Sequence, residues 1–76
     1  MVKPTKVTNS IRELRFAAGE MTQAELADRV GVTRQTIIAI EQERYSPSLE
    51  VAFKIAQTLG RPLDQVFHYP GTEQQS

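Results

Sequence analysis

The fold is decided by residues 23–42, which read QAELADRVGVTRQTIIAIEQ. Apolar residues recur here at helical spacing on both sides of Gly31: Leu26, Ala27, Val30, Ile37 and Ile40. Gly31 permits the left-handed backbone of a tight turn, and the small Ala27 lets two helices approach closely. The segment therefore predicts two short helices that cross steeply with their apolar faces together.

Two threonines mark where these helices begin. Thr22 and Glu25 have the spacing of a capping box, and Thr33 can cap a helix that starts at Arg34. In the first of the two helices we expect Ala24 to face inward with the other apolar residues. The turn and both helix starts thus agree with one local structure.

Outside this segment the positions of capping residues, glycines and prolines predict three more helices, at residues 10–18, 49–60 and 62–67. Ser10 and Glu13 have the spacing of a second capping box. The strongest helical period belongs to the fourth helix, with Leu49, Ala52, Phe53, Ala56 and Leu59. No segment alternates convincingly as a strand, although residues 2–8 are compatible with an extended chain. The prediction is an all-α fold of five helices.

The 76 residues have room for one domain, which we predict at residues 9–68, between an N-terminal arm at 1–8 and a flexible tail at 69–76. The chain is 39% hydrophobic and 24% charged, as expected of a soluble globular protein. No apolar run approaches the roughly 18 residues of a membrane span, and the chain start lacks the apolar stretch of a secretory signal. We therefore expect a cytoplasmic protein with no membrane partner.

The side chains give little support to an enzyme. There is no cysteine and only one histidine, His68, so neither a disulfide framework nor a metal site is expected. The sequence also lacks a phosphate-cradling glycine-rich loop and paired catalytic groups. We predict no catalysis, no cofactor and no small-molecule ligand.

The net charge of +0 means that any affinity for nucleic acid must depend on where the charges lie. A net charge of zero is also compatible with a function other than nucleic-acid binding, and the alternative is a protein-interaction module such as an antitoxin-like partner.

The sequence resembles the Cro/C1-type helix-turn-helix regulators, the XRE family, over roughly residues 9–67. The motifs that carry the resemblance are Ile11-Arg12-Glu13-Leu14-Arg15, Thr22-Gln23-Ala24-Glu25-Leu26-Ala27, Gly31-Val32-Thr33-Arg34-Gln35-Thr36-Ile37, Ile40-Glu41, Pro47-Ser48-Leu49, Ala52-Phe53-Lys54-Ile55-Ala56 and Leu59-Gly60. The resemblance implies a lambda-repressor-like fold with the helix-turn-helix at helices 2 and 3. It also implies a transcriptional regulator, expected to be a repressor, that binds double-stranded DNA as a symmetric homodimer.

Helix 3 is the expected recognition helix. A recognition helix enters the major groove with its N-terminal turn, which here carries Arg34, Gln35 and Thr36. Arginine can bond bidentately to guanine and glutamine to adenine, and Ala39, one turn later, is small enough to touch a thymine methyl. We predict these four as base readers. The alternative is that Arg34 and Gln35 are merely solvated surface residues.

Four residues are predicted to contact the DNA backbone: Gln23, Thr33, Arg44 and Tyr45. Gln23 resembles the family's glutamine that contacts phosphate and supports the recognition helix, with a simple capping-turn residue as the alternative. Arg44 and Tyr45 follow helix 3 and can bind the backbone through charge and a hydroxyl.

Arg15 and Glu41 resemble the family's structural pair between the first and third helices. Their burial decides their energetic importance, and the sequence leaves it open. One departure follows directly: where many relatives have Asn-Gly-Lys, this chain has Gln42-Glu43-Arg44. The chain thereby loses the glycine suited to a left-handed helix cap.

The C-terminal residues Leu63, Val66, Phe67 and Tyr69 are the predicted dimer contacts, because a short final helix cannot bury so much apolar surface alone. The alternative is that Leu63, Val66 and Phe67 complete the core of the monomer.

Overall fold

The computed structural model describes residues 5–70, which form five helices and one small antiparallel sheet. In chain order the elements are β1 (Thr8–Asn9), α1 (Ile11–Ala17), α2 (Gln23–Val30), α3 (Arg34–Glu41), α4 (Leu49–Leu59), α5 (Leu63–Val66) and β2 (Phe67–His68). This architecture confirms the five-helix prediction and adds a minor sheet. Residues 1–4 of the predicted arm and 71–76 of the predicted tail lie outside the described residues.

Hydroxyl caps start the two central helices. At α2 the Thr22 hydroxyl accepts from the Glu25 N–H at 3.0 Å, and the Thr22 N–H donates to the Glu25 carboxylate at 2.8 Å. This confirms the predicted capping box. The box predicted at Ser10 and Glu13 is wrong, because the Ser10 hydroxyl is instead hydrogen-bonded to His68 Nε2 at 3.0 Å.

Gly31 makes the turn between α2 and α3. Its φ angle is 89°, and the N–H groups of Gly31 and Val32 both donate to the carbonyl of Ala27, at 2.8 and 3.0 Å. An L-residue with a side chain adopts this left-handed conformation only with strain. The glycine therefore fixes the point at which the chain turns from α2 into α3.

The core draws on every helix. Its buried apolar residues are Ile11, Met21, Leu26, Ala27, Val30, Ile37, Ile40, Ile55, Ala56, Leu59 and Val66. One expectation fails here: Ala24 is exposed rather than inward-facing, since the buried residues of α2 are Leu26, Ala27 and Val30. On α4 the periodic residues Leu49 and Phe53 are 67% and 47% exposed.

The small sheet joins the two ends of the domain. Thr8 pairs with His68 and Asn9 with Phe67, and the Ser10 N–H donates to the carbonyl of Val66 at 2.9 Å. Consequently α5 ends at Val66, one residue before the predicted end, because Phe67 takes an extended conformation. In the part of the chain between residues 5 and 70, none of the helices is long and apolar enough to cross a membrane.

Candidate nucleic-acid interface

Helix α3 buries one side and exposes another. Ile37 and Ile40 are 0% and 1% exposed, whereas Arg34 and Gln35 in the first turn are exposed and Ala39 is half-buried. Within residues 5–70 no side chain forms a hydrogen bond or an ion pair with Arg34 or Gln35. The N-terminal turn therefore presents two side chains whose polar groups are available to a ligand.

Thr33 and Thr36 close the start of α3. The Thr33 hydroxyl accepts from the Thr36 N–H at 3.1 Å, and the two hydroxyl oxygens are 2.9 Å apart. Because the Thr36 hydroxyl is engaged in this cap, it is less available to a base than the side chains of Arg34 and Gln35. The cap fixes the direction in which the first turn of α3 points.

Glu41, the last residue of α3, is the centre of a buried polar cluster. Its carboxylate accepts from Arg15 Nε at 2.7 Å, from Arg15 Nη2 at 3.2 Å and from Gln23 Nε2 at 3.1 Å. The Arg15 and Glu41 side chains are each 9% exposed, so the pair is buried. Arg15 Nη1 also donates to the Met21 carbonyl at 2.8 Å. One cluster thus joins α1 and α2 to the end of α3.

Gln23 therefore has a structural partner that the sequence did not specify. Its amide nitrogen supports α3 through Glu41, and the half-buried side chain also lines a groove of about 650 Å³ between α1, α2 and α3. Arg12 and Arg34 line the same groove. The groove brings two exposed guanidinium groups and the start of α2 to one surface.

The capping box at the start of α2 lowers the pKa of the Glu25 carboxylate. Hydrogen bonds from the Thr22 backbone N–H and then from its hydroxyl hold the pKa of Glu25 below its ordinary value. Arg29, one helical turn away, lowers the same pKa further through its charge. Glu25 is exposed, and its negative charge is favourable at the positive end of the helix dipole.

The chain leaves α3 through a left-handed residue that is not glycine. Glu43 has φ 62°, its N–H donates to the Ile40 carbonyl at 3.0 Å, and the Arg44 N–H donates to the Ala39 carbonyl at 2.9 Å. These two bonds form a Schellman motif, which normally places glycine where Glu43 stands. Glu43 thus occupies the left-handed position that glycine would adopt without strain, as expected from the absence of that glycine in the sequence.

Arg44 and Tyr45 follow this cap and are both exposed, Tyr45 at 51%. Arg44 Nε donates to the side chain of Gln42 at 2.9 Å, which holds the guanidinium beside the end of α3. The structure thus places Arg44 at the C-terminal end of α3 and Arg34 at its N-terminal end.

The predicted dimer contacts divide into two groups. Val66 is 0% exposed and belongs to the core, so the monomer itself buries this side chain, and the prediction of Val66 as a dimer contact is wrong. Leu63 and Phe67 are half-buried and Tyr69 is 58% exposed. With Val7 these three line an apolar surface groove of about 460 Å³.

Sequence reasoning missed Asn9. Its side-chain nitrogen donates to the Ile40 carbonyl at 2.8 Å, and its side-chain oxygen accepts from the Ile11 N–H at 3.2 Å. Asn9 therefore joins the start of α1 to the last turn of α3. A bond from an asparagine side chain to the backbone two residues later is an Asx turn, which an asparagine before a helix can suggest.

The chain matches the helix-turn-helix family over residues 11–66. It belongs to that family. The match confirms the resemblance to Cro/C1-type regulators and identifies α2 and α3 as parts of a DNA-binding domain. Within residues 5–70 no group of three or more His, Asp or Glu side chains could hold a metal ion. The chain is a transcriptional regulator with a helix-turn-helix DNA-binding domain, not an enzyme.

Several relatives share much of the chain. An HTH-type transcriptional regulator of Methanothermobacter thermautotrophicus is 67% identical over 51 residues, which cover 67% of this chain and 72% of that protein. One from Methanocaldococcus jannaschii is 49% identical, covering 75% of this chain and 86% of that protein. The cryptic phage CTXphi transcriptional repressor RstR of Vibrio cholerae is 34% identical, covering 78% of this chain and 52% of RstR.

Solved structures show the same fold. A DNA-binding protein from Bacteroides fragilis superposes with a TM-score of 0.73 at 24% identity, covering 82% of this chain and 98% of that one. The hypothetical transcription factor NHTF from Neisseria superposes with a TM-score of 0.69 at 29% identity, covering 86% and 74%. A lambda-repressor-like arrangement of five helices is therefore the established fold.

Proposed function

We propose that this chain is a repressor that reads a specific double-stranded DNA site by placing α3 in the major groove. The observation that carries the proposal is the first turn of α3, where Arg34 and Gln35 are exposed on a helix fastened to α1 and α2 through Glu41. Specific recognition requires side chains that reach base edges from a backbone whose position is fixed. This turn supplies both.

Each predicted reader has a matching chemistry in the major groove. The Arg34 guanidinium can bond bidentately to guanine, and the Gln35 amide can do the same with adenine. Ala39, one turn later and half-buried, offers a methyl group to thymine. Thr36 is also proposed to contact a base, although its hydroxyl is hydrogen-bonded to that of Thr33 in the helix cap.

Contacts to the DNA backbone would then flank the readers. Gln23 lines the groove at the start of α2, Thr33 precedes α3, and Arg44 and Tyr45 lie beyond its end. Side chains on both sides of a recognition helix can fix its depth and angle in the groove. Because the net charge is +0, we expect this local arrangement rather than bulk attraction to set the affinity.

A symmetric dimer is the second part of the proposal. One module of this kind reads only about 4 or 5 base pairs, so useful specificity needs two copies on adjacent half-sites. The apolar groove beside Leu63, Phe67 and Tyr69 supports an interface at the C-terminal end of the domain. A repressor action is favoured by the similarity to RstR. With DNA as the target, we expect the protein to act in the cytoplasm.

The test is selection of bound sequences from a random duplex library, followed by affinity measurements at several salt concentrations. The proposal expects enrichment of a palindrome and an affinity that falls as salt rises. Arg34→Ala should weaken binding by roughly 1–3 kcal/mol and relax the preference at one base pair per half-site.

Arg61→Ala is the matched control. It removes an equal charge from an exposed side chain beyond the far end of α4, so only the general electrostatic contribution should change. If the wild type enriches no sequence and Arg34→Ala behaves like Arg61→Ala, the recognition assignment fails. The antitoxin-like interaction module then becomes the better proposal.

A further inference from the structure

Ile38 is an apolar residue of α3 that does not belong to the buried core. It is half-buried, but it is not among the partly buried hydrophobic residues that pack against the core of residues 5–70. Its helix neighbours Ile37 and Ile40, by contrast, are 0% and 1% exposed. The core therefore does not account for an isoleucine at this position.

The helix places Ile38 between the predicted readers. Residues three and four apart lie side by side on a helix, so Ile38 is adjacent to Arg34 and Gln35 on one side and to Glu41 and Gln42 on the other. All four neighbours are polar, and all but Glu41 are exposed. At about 1.5 Å per residue, Ile38 lies about 6 Å further along the axis than Arg34. A branched aliphatic group thus occupies the middle of a polar face.

The major groove offers such a group one specific partner. Among the four bases only thymine presents a methyl group there, and cytosine has a hydrogen at the same carbon. Isoleucine is branched at Cβ and holds a narrow range of χ1 angles in a helix, so little side-chain entropy is lost on contact. Burial of apolar surface then favours thymine over cytosine at that base pair.

We propose that Ile38 determines specificity by packing against the 5-methyl group of one thymine in each half-site. This inference rests on the proposed function and adds a reader to it. Ala39 cannot replace Ile38 in this contact, because adjacent residues on a helix point about 100° apart and meet different parts of the groove. The longer isoleucine side chain also reaches further from the helix axis than the single methyl of alanine.

The experiment removes the methyl group from the DNA and the side chain from the protein independently. Each thymine of the selected site is replaced in turn by deoxyuridine, which lacks only the 5-methyl group. Affinities are then measured for the wild type, Ile38→Val and Ile38→Ala. The control is Leu49→Ala, which truncates an exposed aliphatic residue on α4.

For the wild type we expect one thymine per half-site at which deoxyuridine weakens binding about fourfold, the effect of burying one methyl group. Ile38→Ala should abolish the difference between thymine and deoxyuridine at that position, and Ile38→Val should reduce it. Leu49→Ala should preserve the fourfold difference. Thermal unfolding should show that Ile38→Ala still folds, because the core does not use Ile38 and alanine favours helix.

Two results would overturn the inference while leaving the proposed function intact. One is a wild type that binds a selected site but is indifferent to deoxyuridine at every thymine. The other is a deoxyuridine penalty that is equally large in Ile38→Ala at every position. If the wild type selects no duplex at all, the proposed function fails, and this inference fails with it.

Discussion

Arg15 and Glu41 form a two-point ion pair between the first helix and the end of the third. Arg15 Nε lies 2.7 Å from Glu41 Oε2, and Arg15 Nη2 lies 3.2 Å from Oε1. Arg15 Nη1 also donates to the Met21 carbonyl, and Glu41 also accepts from Gln23 Nε2. No buried side-chain polar atom among residues 5–70 lacks a partner. Full satisfaction is what makes a buried charge tolerable.

Removal of one partner from this pair should therefore be costly. We expect Glu41→Ala to lower the free energy of unfolding by about 3–5 kcal/mol, because the Arg15 guanidinium would remain buried without its carboxylate. Urea denaturation followed by circular dichroism measures the change. Replacing both partners by apolar residues, as in Arg15→Met with Glu41→Leu, should cost less than Glu41→Ala alone.

The exposed pair of Glu50 and Lys54 supplies the control. Its nitrogen and oxygen are 3.6 Å apart on the surface of α4, and both side chains are at least half exposed. Lys54→Ala should change the free energy of unfolding by less than about 1 kcal/mol. A Glu41→Ala effect no larger than that of Lys54→Ala would contradict the structural role of the buried pair.

Glu43 offers a stabilising substitution. It holds φ 62° in the Schellman motif that ends α3, a conformation in which a side chain costs roughly 1 kcal/mol relative to glycine. Glu43→Gly should therefore raise the free energy of unfolding by about 1 kcal/mol. Because this substitution also removes a carboxylate, Glu43→Ala is the matched control, which removes the charge but keeps the strained Cβ.

The difference between these two variants isolates the backbone contribution, and thermal unfolding at neutral pH measures it. Equal stabilities for Glu43→Gly and Glu43→Ala would show that the left-handed backbone at this position carries no strain. Both variants should also bind DNA more tightly than the wild type at low salt, since they remove a negative charge next to Arg44.

The sequence predicted what depends on local chemistry. The turn at Gly31 and the capping box at Thr22 follow from neighbouring residues, and the structure has both. Glu43 has the left-handed φ of 62° at the position where the resemblance to Cro/C1-type regulators implies glycine. Helix count and order therefore required no information about tertiary contacts.

The failures share a cause in long-range contacts. Ser10 has the spacing of a capping box, yet its hydroxyl bonds to His68, which is 58 positions later. Two-residue strands are too short to show a periodic pattern, so the pairing of Asn9 with Phe67 left no signal. Val66 could be assigned to the core only when its neighbours were known, and the burial of Arg15 and Glu41 likewise required the packed helices.

The capping box at α2 predicts a pH dependence. The bonds from Thr22 hold the pKa of Glu25 below its ordinary value, so the ionised carboxylate stabilises the folded state at pH values above that ordinary value. This contribution is lost as the pH falls through the lowered pKa of the folded state. Glu25→Gln should therefore be less stable than the wild type at pH 7, and the difference should shrink towards about pH 3.

Thermal unfolding of the wild type and of Glu25→Gln across this pH range measures the difference in their stabilities. The other carboxylates titrate in both proteins, so their contributions cancel in this difference. Glu13→Gln is the control, since Glu13 lies in the first turn of α1 but α1 has no side-chain cap. A stability difference for Glu25→Gln that stays constant from pH 7 to about pH 3 would exclude a role for the ionised carboxylate in the cap.

Tyr69 tests the proposed dimer. It is 58% exposed and lines the apolar groove with Leu63 and Phe67, so a charge introduced there would be buried by a second copy. We expect Tyr69→Asp to shift the protein towards monomer in sedimentation velocity experiments without DNA. The dissociation constant of the dimer should rise at least about tenfold. Tyr45→Asp is the matched control, because Tyr45 has a similar exposure of 51% but lies in the loop after α3.

The proposed interface would also affect DNA binding. When the protein is monomeric, two separate copies must assemble on the palindrome, and this assembly reduces the affinity for the full site. Tyr69→Asp should therefore weaken binding to the full site far more than binding to an isolated half-site. Tyr45→Asp, which alters a proposed backbone contact, should weaken both to a similar degree. If Tyr69→Asp leaves the sedimentation and the ratio of full-site to half-site affinity unchanged, this apolar groove is not the dimer interface.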